Sequence, residues 1–264
     1  MCTVVILRRP GEDWPLILAA NRDEMIDRPW RPPGRHWPDR ADVVAGRDEL
    51  AFGTWLGIND TGVVAAIMNR EGSLGPDPDK RSRGELVLEA LDHADAVTAA
   101  GALRFLEASA YRPFNLVVAD NRDAYWLKST GAGAIEAATL ETGISMLTAR
   151  DLNDTSSGRI AAFMPRFKKA TAPVSAAGDW TQWEALMAAG TPKPGDDPHT
   201  AMALAPIKGY GTVSGSLLAL PSSDLTALPG SDAMALPGND GHGKPRWRFC
   251  AGRPGTAPYR DVTI

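Results

Sequence analysis

Cys2 directly follows Met1, and a small second residue permits removal of the methionine. Removal leaves a cysteine that carries both a thiol and a free α-amine. The amine titrates near ~7.7–8.0 and the thiol near ~8.5, so proton transfer between them is almost balanced and the amine can act as base for its own side chain. A residue of this kind does covalent catalysis. Asn21-Arg22-Asp23-Glu24 could complete such a site, with Asp23 fixing the ammonium and Arg22 drawing the thiol pKa down. The side-chain amide of Asn69 is a suitable oxyanion donor. Taken singly, each residue also has a plainer explanation. Cys2 reads as a small buried hydrophobe opening a strand, the Asn-Arg-Asp-Glu run as a polar turn, and Asn69 as a strand end.

The elements that would bring these residues together are strands. Thr3–Leu7 and Pro15–Ala20 are apolar runs separated by Pro10-Gly11-Glu12-Asp13, a hairpin pattern. A turn centred on Gly11 and Glu12 makes partner numbers sum to about 23 and sets Cys2 opposite Asn21. A second hairpin runs from Thr54–Ile58 through Asn59-Asp60-Thr61-Gly62 to Val63–Met68, apolar nearly throughout, as in a sheet covered on both faces. The segment between them, 28–50, is rich in proline and charge and reads as a long ordered loop bordering the site. Ser82-Arg83-Gly84-Glu85 suggests a capping box opening two helices within 83–110. Strands are expected at Asn115–Ala119, Ala124–Leu127, Gly143–Thr148, Ser216–Leu220 and Arg246–Cys250. Helices are expected near 155–170 and 179–190, and loops over 221–245. This order favours α+β layers in a single domain over residues 1–264.

Composition removes several classes. With 44% hydrophobic and 23% charged residues the chain is an ordinary globular one. A net charge of -4, and basic stretches no longer than Lys80-Arg81-Ser82-Arg83, argue against nucleic acid as a partner. Two cysteines, Cys2 and Cys250, cannot build a disulfide scaffold or a four-cysteine zinc site, and the four histidines are scattered, so neither a metal nor a cofactor is expected. The short apolar run before Arg8 is neither a signal peptide nor a membrane span, which suggests a cytoplasmic protein with free thiols.

Several separate motifs resemble one family. Met1-Cys2-Thr3, Asn21-Arg22-Asp23-Glu24, Gly46-Arg47-Asp48, Gly53-Thr54-Trp55-Leu56-Gly57, Met68-Asn69-Arg70, Ser82–Leu86 and Tyr210-Gly211-Thr212 look like the NRDE family, also called the transport and Golgi organisation protein 2 family. That family is similar to the cysteine N-terminal-nucleophile hydrolases that include penicillin V acylase and bile salt hydrolase. The resemblance implies a four-layer αββα sandwich and hydrolysis of a linear amide C–N bond through a thioester. It makes Cys2 the nucleophile, Asp23 the holder of its amine and Asn69 part of the segment that supplies an oxyanion asparagine; Asn21 and Arg22, beside Asp23 in the same run, are expected to complete the catalytic set. Trp55, Arg70 and Asn153 are the expected substrate-binding residues. The chain departs from the pattern at three places. Ala20 stands where the acylases carry arginine, which makes Arg22 a displaced substitute; Leu147-Thr148-Ala149 replaces Leu-Ser-Asn, with Asn153 as the candidate replacement amide; and Val213 follows Tyr-Gly-Thr where arginine is usual. The expected partner is a small amide or acyl substrate. The competing expectation, from relatives associated with lipid homeostasis and haem mobilisation, is a non-catalytic haem or lipid carrier, with Cys2 as an iron ligand and the tryptophans Trp30, Trp37, Trp55, Trp126, Trp180, Trp183 and Trp247 either lining its cavity or packed in the core.

Overall fold

The computed structural model describes residues 2–75, 77–222 and 243–264. The chain opens with β1 (Thr3–Arg8) and β2 (Leu16–Met25), then enters a second sheet with β3 (Trp30–Gly34), β4 (Val43–Asp48), β5 (Leu56–Asn59) and β6 (Val64–Asn69). Helices α1 (Gly84–Leu91) and α2 (Ala96–Leu103) follow, and β7 (Phe114–Ala119), β8 (Ala124–Ser129) and β9 (Glu136–Thr139) complete that sheet. The chain returns to the first sheet through β10 (Gly143–Leu147). Helices α3 (Gly158–Lys169) and α4 (Thr181–Met187) precede β11 (Tyr210–Leu220), β12 (Arg246–Cys250) and β13 (Tyr259–Asp261). The first sheet has six strands in the order β10-β1-β2-β11-β12-β13, and the second has seven in sequence order, β3 to β9.

Alternation along the strands explains the layering. Val4, Ile6, Leu16 and Leu18 face Ile58, Val64, Ala66 and Val117 of the other sheet. The intervening residues Val5, Ile17 and Ala19 turn the opposite way, onto Ile160, Phe163, Phe167 and Trp183 of α3 and α4. The second sheet is covered in turn by Leu86, Val87, Leu91 and Leu103 of α1 and α2, packed on Ala65, Leu116 and Val118. Each central strand is thus buried on both faces, which is why its sequence is apolar without interruption. Full burial of a side chain such as Ile17 contributes roughly 1.5–3 kcal/mol. The result is the four-layer αββα sandwich.

Four local expectations need correction. In the first hairpin Thr3 pairs with Asn21 and Arg8 with Leu16, so partner numbers sum one higher than the turn residues suggested. The connection runs from Arg9 to Pro15, closed by the Arg9 N–H donating to the Pro15 carbonyl at 2.8 Å, and an odd-length connection centres on Glu12 itself. A one-residue slip exchanges faces, so Asn21 points away from Cys2 and Arg22 stands across from it. Residues 28–50 hold two paired strands, β3 and β4, rather than a loop. Ser82 does not form a capping box: its Oγ accepts from the Gly84 N–H at 3.2 Å, while the Glu85 carboxylate turns to Arg81. The strands of the first sheet also run further than expected, with β11 beginning at Tyr210 and the short β13 adding an edge. Most of the 221–245 segment lies outside the described residues.

Candidate active site

The start of β1, the end of β2, the end of β6, the start of β11 and the N-terminus of α1 converge on a cleft of about 580 Å³. The approach of α1 is set by two glycines. A Cβ on Gly53 would come within 2.6 Å of the Gly84 carbonyl carbon, so only glycine lets the backbones touch and the Thr54 N–H donate to the Gly84 carbonyl at 3.2 Å. This contact brings Ser82, Arg83 and Gly84 into the wall of the cleft.

Cys2 lines the cleft half-buried, and its thiol reaches the Asp23 main-chain carbonyl, Sγ to O 3.6 Å. Burial pushes the thiol up from its ordinary value, opposed by the nearby N-terminal charge and aided by the Asp23 carboxylate. Asp23 lies on the strand face that looks toward α3. Its Oδ2 accepts from both Nη1 and Nη2 of Arg159, at 3.0 and 3.1 Å, and its Oδ1 accepts from the Thr212 hydroxyl at 2.5 Å. The Arg159 Nη1 also donates to the Thr3 hydroxyl at 2.7 Å. Thr212 pairs with Asp23 across β11 and β2, and a bulge at Val213 shifts the register immediately after it. The hydroxyl of Tyr210 donates to the Asp23 carbonyl at 3.1 Å. Burial pushes the Tyr210 phenol up, reinforced by the charges of Cys2, Asp23 and Glu24.

Arg22, across from Cys2, stacks over Trp55 at 4.3 Å and donates to Asp48 at 3.1 Å. Burial lowers its pKa against the opposing pull of Glu24, Cys2 and Asp48. Asp48 also binds Arg28 at 2.6 and 3.0 Å and accepts the N–H groups of Leu50 and Ala51, which fixes the turn after β4. Asn69, the last residue of β6, lines the cleft and makes no side-chain hydrogen bond to protein among the described residues.

The structure therefore brings Cys2, Arg22, Asp23, Trp55 and Asn69 to one cleft. The other expected residues are placed elsewhere. The Asn21 amide donates to the Met187 and Met202 carbonyls at 2.9 and 2.8 Å, tying β2 to the helical layer. Arg70 donates to Asn115 and Asp151, at 2.7 and 2.6 Å. Asn153, at φ 58°, forms two hydrogen bonds to the Met146 backbone and closes the turn after β10. Of the tryptophans, Trp55 lines the cleft, whereas Trp180, Trp183 and Trp247 are core. Arg159 had no signal in the sequence, because its role depends on α3 crossing beneath β2; Tyr210 and Thr212 were marked only as part of a motif. No group of three or more His, Cys, Asp or Glu residues placed to hold a metal occurs among the described residues. Nor is any helix among them long and apolar enough to cross a membrane.

Solved structures with a similar fold include hydrolases. The N-acylethanolamine-hydrolyzing acid amidase ortholog of Caenorhabditis elegans matches with a TM-score of 0.58 at 13% identity, covering 82% of this chain and 92% of that one. The C2A mutant of the conjugated bile acid hydrolase of Clostridium perfringens matches at 0.53 and 10% identity, over 99% of this chain and 92% of that one. Penicillin V acylase of Agrobacterium tumefaciens matches at 0.50 and 14% identity, over 99% and 98%. At these identities the likeness is one of fold. Among curated sequences, the transport and Golgi organization 2 homolog of Mus musculus is 37% identical over 117 residues, and that of Homo sapiens 38% over 115. Each alignment covers 40% of this chain and 38% of the relative. The family described as Transport and Golgi organisation 2 matches residues 1–220, and the chain belongs to that family, on the fold of the N-terminal-nucleophile hydrolases.

Proposed function

We propose that the protein is an N-terminal-cysteine hydrolase of a linear amide bond. The observation that carries this reading is the position of Cys2 in the wall of a ligand-sized cleft, beside Asp23 and Asn69. Once Met1 is removed, the Cys2 amine takes the thiol proton and the sulfur attacks the amide carbon. The Asn69 amide donates to the resulting oxyanion. The C–N bond breaks as the ammonium returns its proton to the leaving nitrogen, giving a thioester and a free amine. A water then loses a proton to the α-amine, attacks the thioester and releases the acid as the sulfur is reprotonated. Asp23 holds the ammonium in place during both steps, and Arg159 and Thr212 hold Asp23. A raised thiol pKa suits this scheme, since the nucleophile rests protonated and needs its own base. Cytoplasmic residence, where both free thiols stay reduced, belongs to the same reading.

Intact mass spectrometry comes first, because a chain that retains Met1 has no Cys2 amine and ends the mechanism. A panel of acyl amides offered to wild type and Cys2→Ala then shows thiol-dependent turnover, and equal rates in both would overturn the proposal. The competing use of the cleft is carriage of haem or a lipid, favoured by the apolar rim residues Met25 and Leu74, which are 42% and 54% exposed. Titration with haem separates the two, since a Soret shift without amide turnover supports the carrier.

A further inference from the structure

Arg83 lines the same cleft as Cys2, and among the described residues it forms no ion pair. Its neighbours differ. Arg22 and Arg28 converge on Asp48 at 3.1 and 2.6 Å, and Arg81 reaches Glu85 at 2.8 Å. The Arg83 Nη1 is anchored instead on neutral oxygens: the Ser73 carbonyl, the Ser73 hydroxyl and the Pro113 carbonyl, at 2.9, 3.0 and 3.0 Å. Ser73 is itself buried and bonded to the Arg70 and Pro113 carbonyls, so the anchor is rigid. The Nε and Nη2 atoms, the edge that grips an oxyanion with two parallel bonds, donate to no described residue, and neither is fully withdrawn from solvent.

A half-buried guanidinium without a counter-charge is costly, and here a second cation makes it more so. Burial, with the positive charge of Arg112 beside it, pushes Arg83 down to about 10, which still leaves it charged at neutral pH. The charges of Cys2 and Glu24 offset this only in part, and no carboxylate of the cleft reaches ion-pair distance of Arg83 among the described residues. Asp48 is taken by Arg22 and Arg28, Asp23 by Arg159, and Glu24 lies toward Arg22 and Arg28 at 3.7 and 3.8 Å, while the Asp77 carboxylate accepts the Asp79 N–H at 3.1 Å and forms no ion pair with Arg83 among the described residues. The remaining wall carries apolar groups, Trp55, Ile67 and Leu74 among them, together with Lys80, Arg81 and Arg112, of which Lys80 donates to the Ser109 carbonyl and Arg81 pairs with Glu85.

We infer that Arg83 is the anion-recognising residue of the cleft, and that the ligand is an acyl amide bearing a carboxylate, which the Nε and Nη2 edge of Arg83 receives while apolar wall residues take the acyl chain. The amide half of this assignment rests on the hydrolase reading; the anion half does not. N-octanoylglycine and N-octanoylglycinamide have the same length and differ in charge, so they isolate the effect. Calorimetry on Cys2→Ala, which cannot turn either over, should show N-octanoylglycine binding at least ~10-fold more tightly, the scale of a charge-assisted pair. Arg83→Gln should bring the ratio close to one, and Arg83→Lys should keep part of it, having the charge without the fork. Equal or absent binding of the two, or a preference that Arg83→Gln leaves intact, would overturn the assignment. Because Arg83 also ties Ser73 to Pro113, thermal unfolding of each variant is measured alongside; if Arg83→Gln does not fold, the ligand comparison on the Arg83-bearing protein still decides. Preferential binding with no turnover in the wild type would retire the hydrolase reading and leave the anion site standing. Turnover of both amides with equal kcat/KM would do the reverse.

Discussion

Arg159 and Asp23, 136 positions apart, form an ion pair in which both terminal guanidinium nitrogens meet one carboxylate oxygen at 3.0 and 3.1 Å. Their side chains are 1% and 0% exposed. This pair joins α3 to the end of β2 and sets the carboxylate on which the proposed chemistry depends. Replacing Arg159 by Met leaves Asp23 charged and buried without its guanidinium. A loss of about 3–5 kcal/mol in urea unfolding is expected. The double variant with Asp23→Asn should recover part of that loss, and a single-variant cost below ~1 kcal/mol would mean that the pair does not hold the fold.

Gly46 lies under the indole of Trp55, where any Cβ would overlap the ring. Trp55 in turn carries Arg22 at 4.3 Å. Gly46→Ala should therefore displace the ring, cost about 1–3 kcal/mol and reduce amide turnover together with stability. An alanine variant with wild-type melting temperature would show that Trp55 has room to move.

Asp48 has two opposing influences on its carboxyl. Burial raises its pKa, but the hydrogen bonds from Arg28 and Ala51 and the charges of Arg28 and Arg22 outweigh burial, so the folded value lies below the ordinary 3.8. A lowered folded value means that the charged form stabilises the fold at pH above 3.8, and that this contribution fades as pH falls through the folded value. Denaturant titrations of wild type and Asp48→Asn should converge as pH drops below that point and diverge above it. A gap that is constant with pH would contradict the assignment.

In the chain that still bears Met1, burial raises the Cys2 thiol above its ordinary 9.0. Iodoacetamide labelling of Cys2, followed by peptide mapping, should keep accelerating as pH passes 9.0. A plateau below neutrality would instead reveal a thiolate stabilised by Arg22.

The two faces of β1 and β2 could be read from their residues, because strands covered on both sides must be apolar throughout, and Val4 to Ile6 and Leu16 to Ala19 are. The motifs around Cys2, Asp23, Trp55 and Asn69 pointed to the family and to the four layers. Register was not readable to the residue. Turn composition left a one-residue ambiguity, and that single step decided that Asn21 serves the helical layer while Arg22 faces Cys2. The strands over 28–50 were hidden by prolines that an edge strand such as β3 tolerates.

What the sequence determined by itself is local: which segments are apolar throughout, and which residue types gather at the N-terminus. What only the tertiary structure decided is the set of partners. Arg159 meets Asp23, Arg83 pairs with no carboxylate among the described residues, and Asn153 closes a turn instead of lining the cleft. The physical reason is that propensity and periodicity act over a few residues, whereas a buried charge is placed by whichever layers close over it, and those layers come from separate parts of the chain.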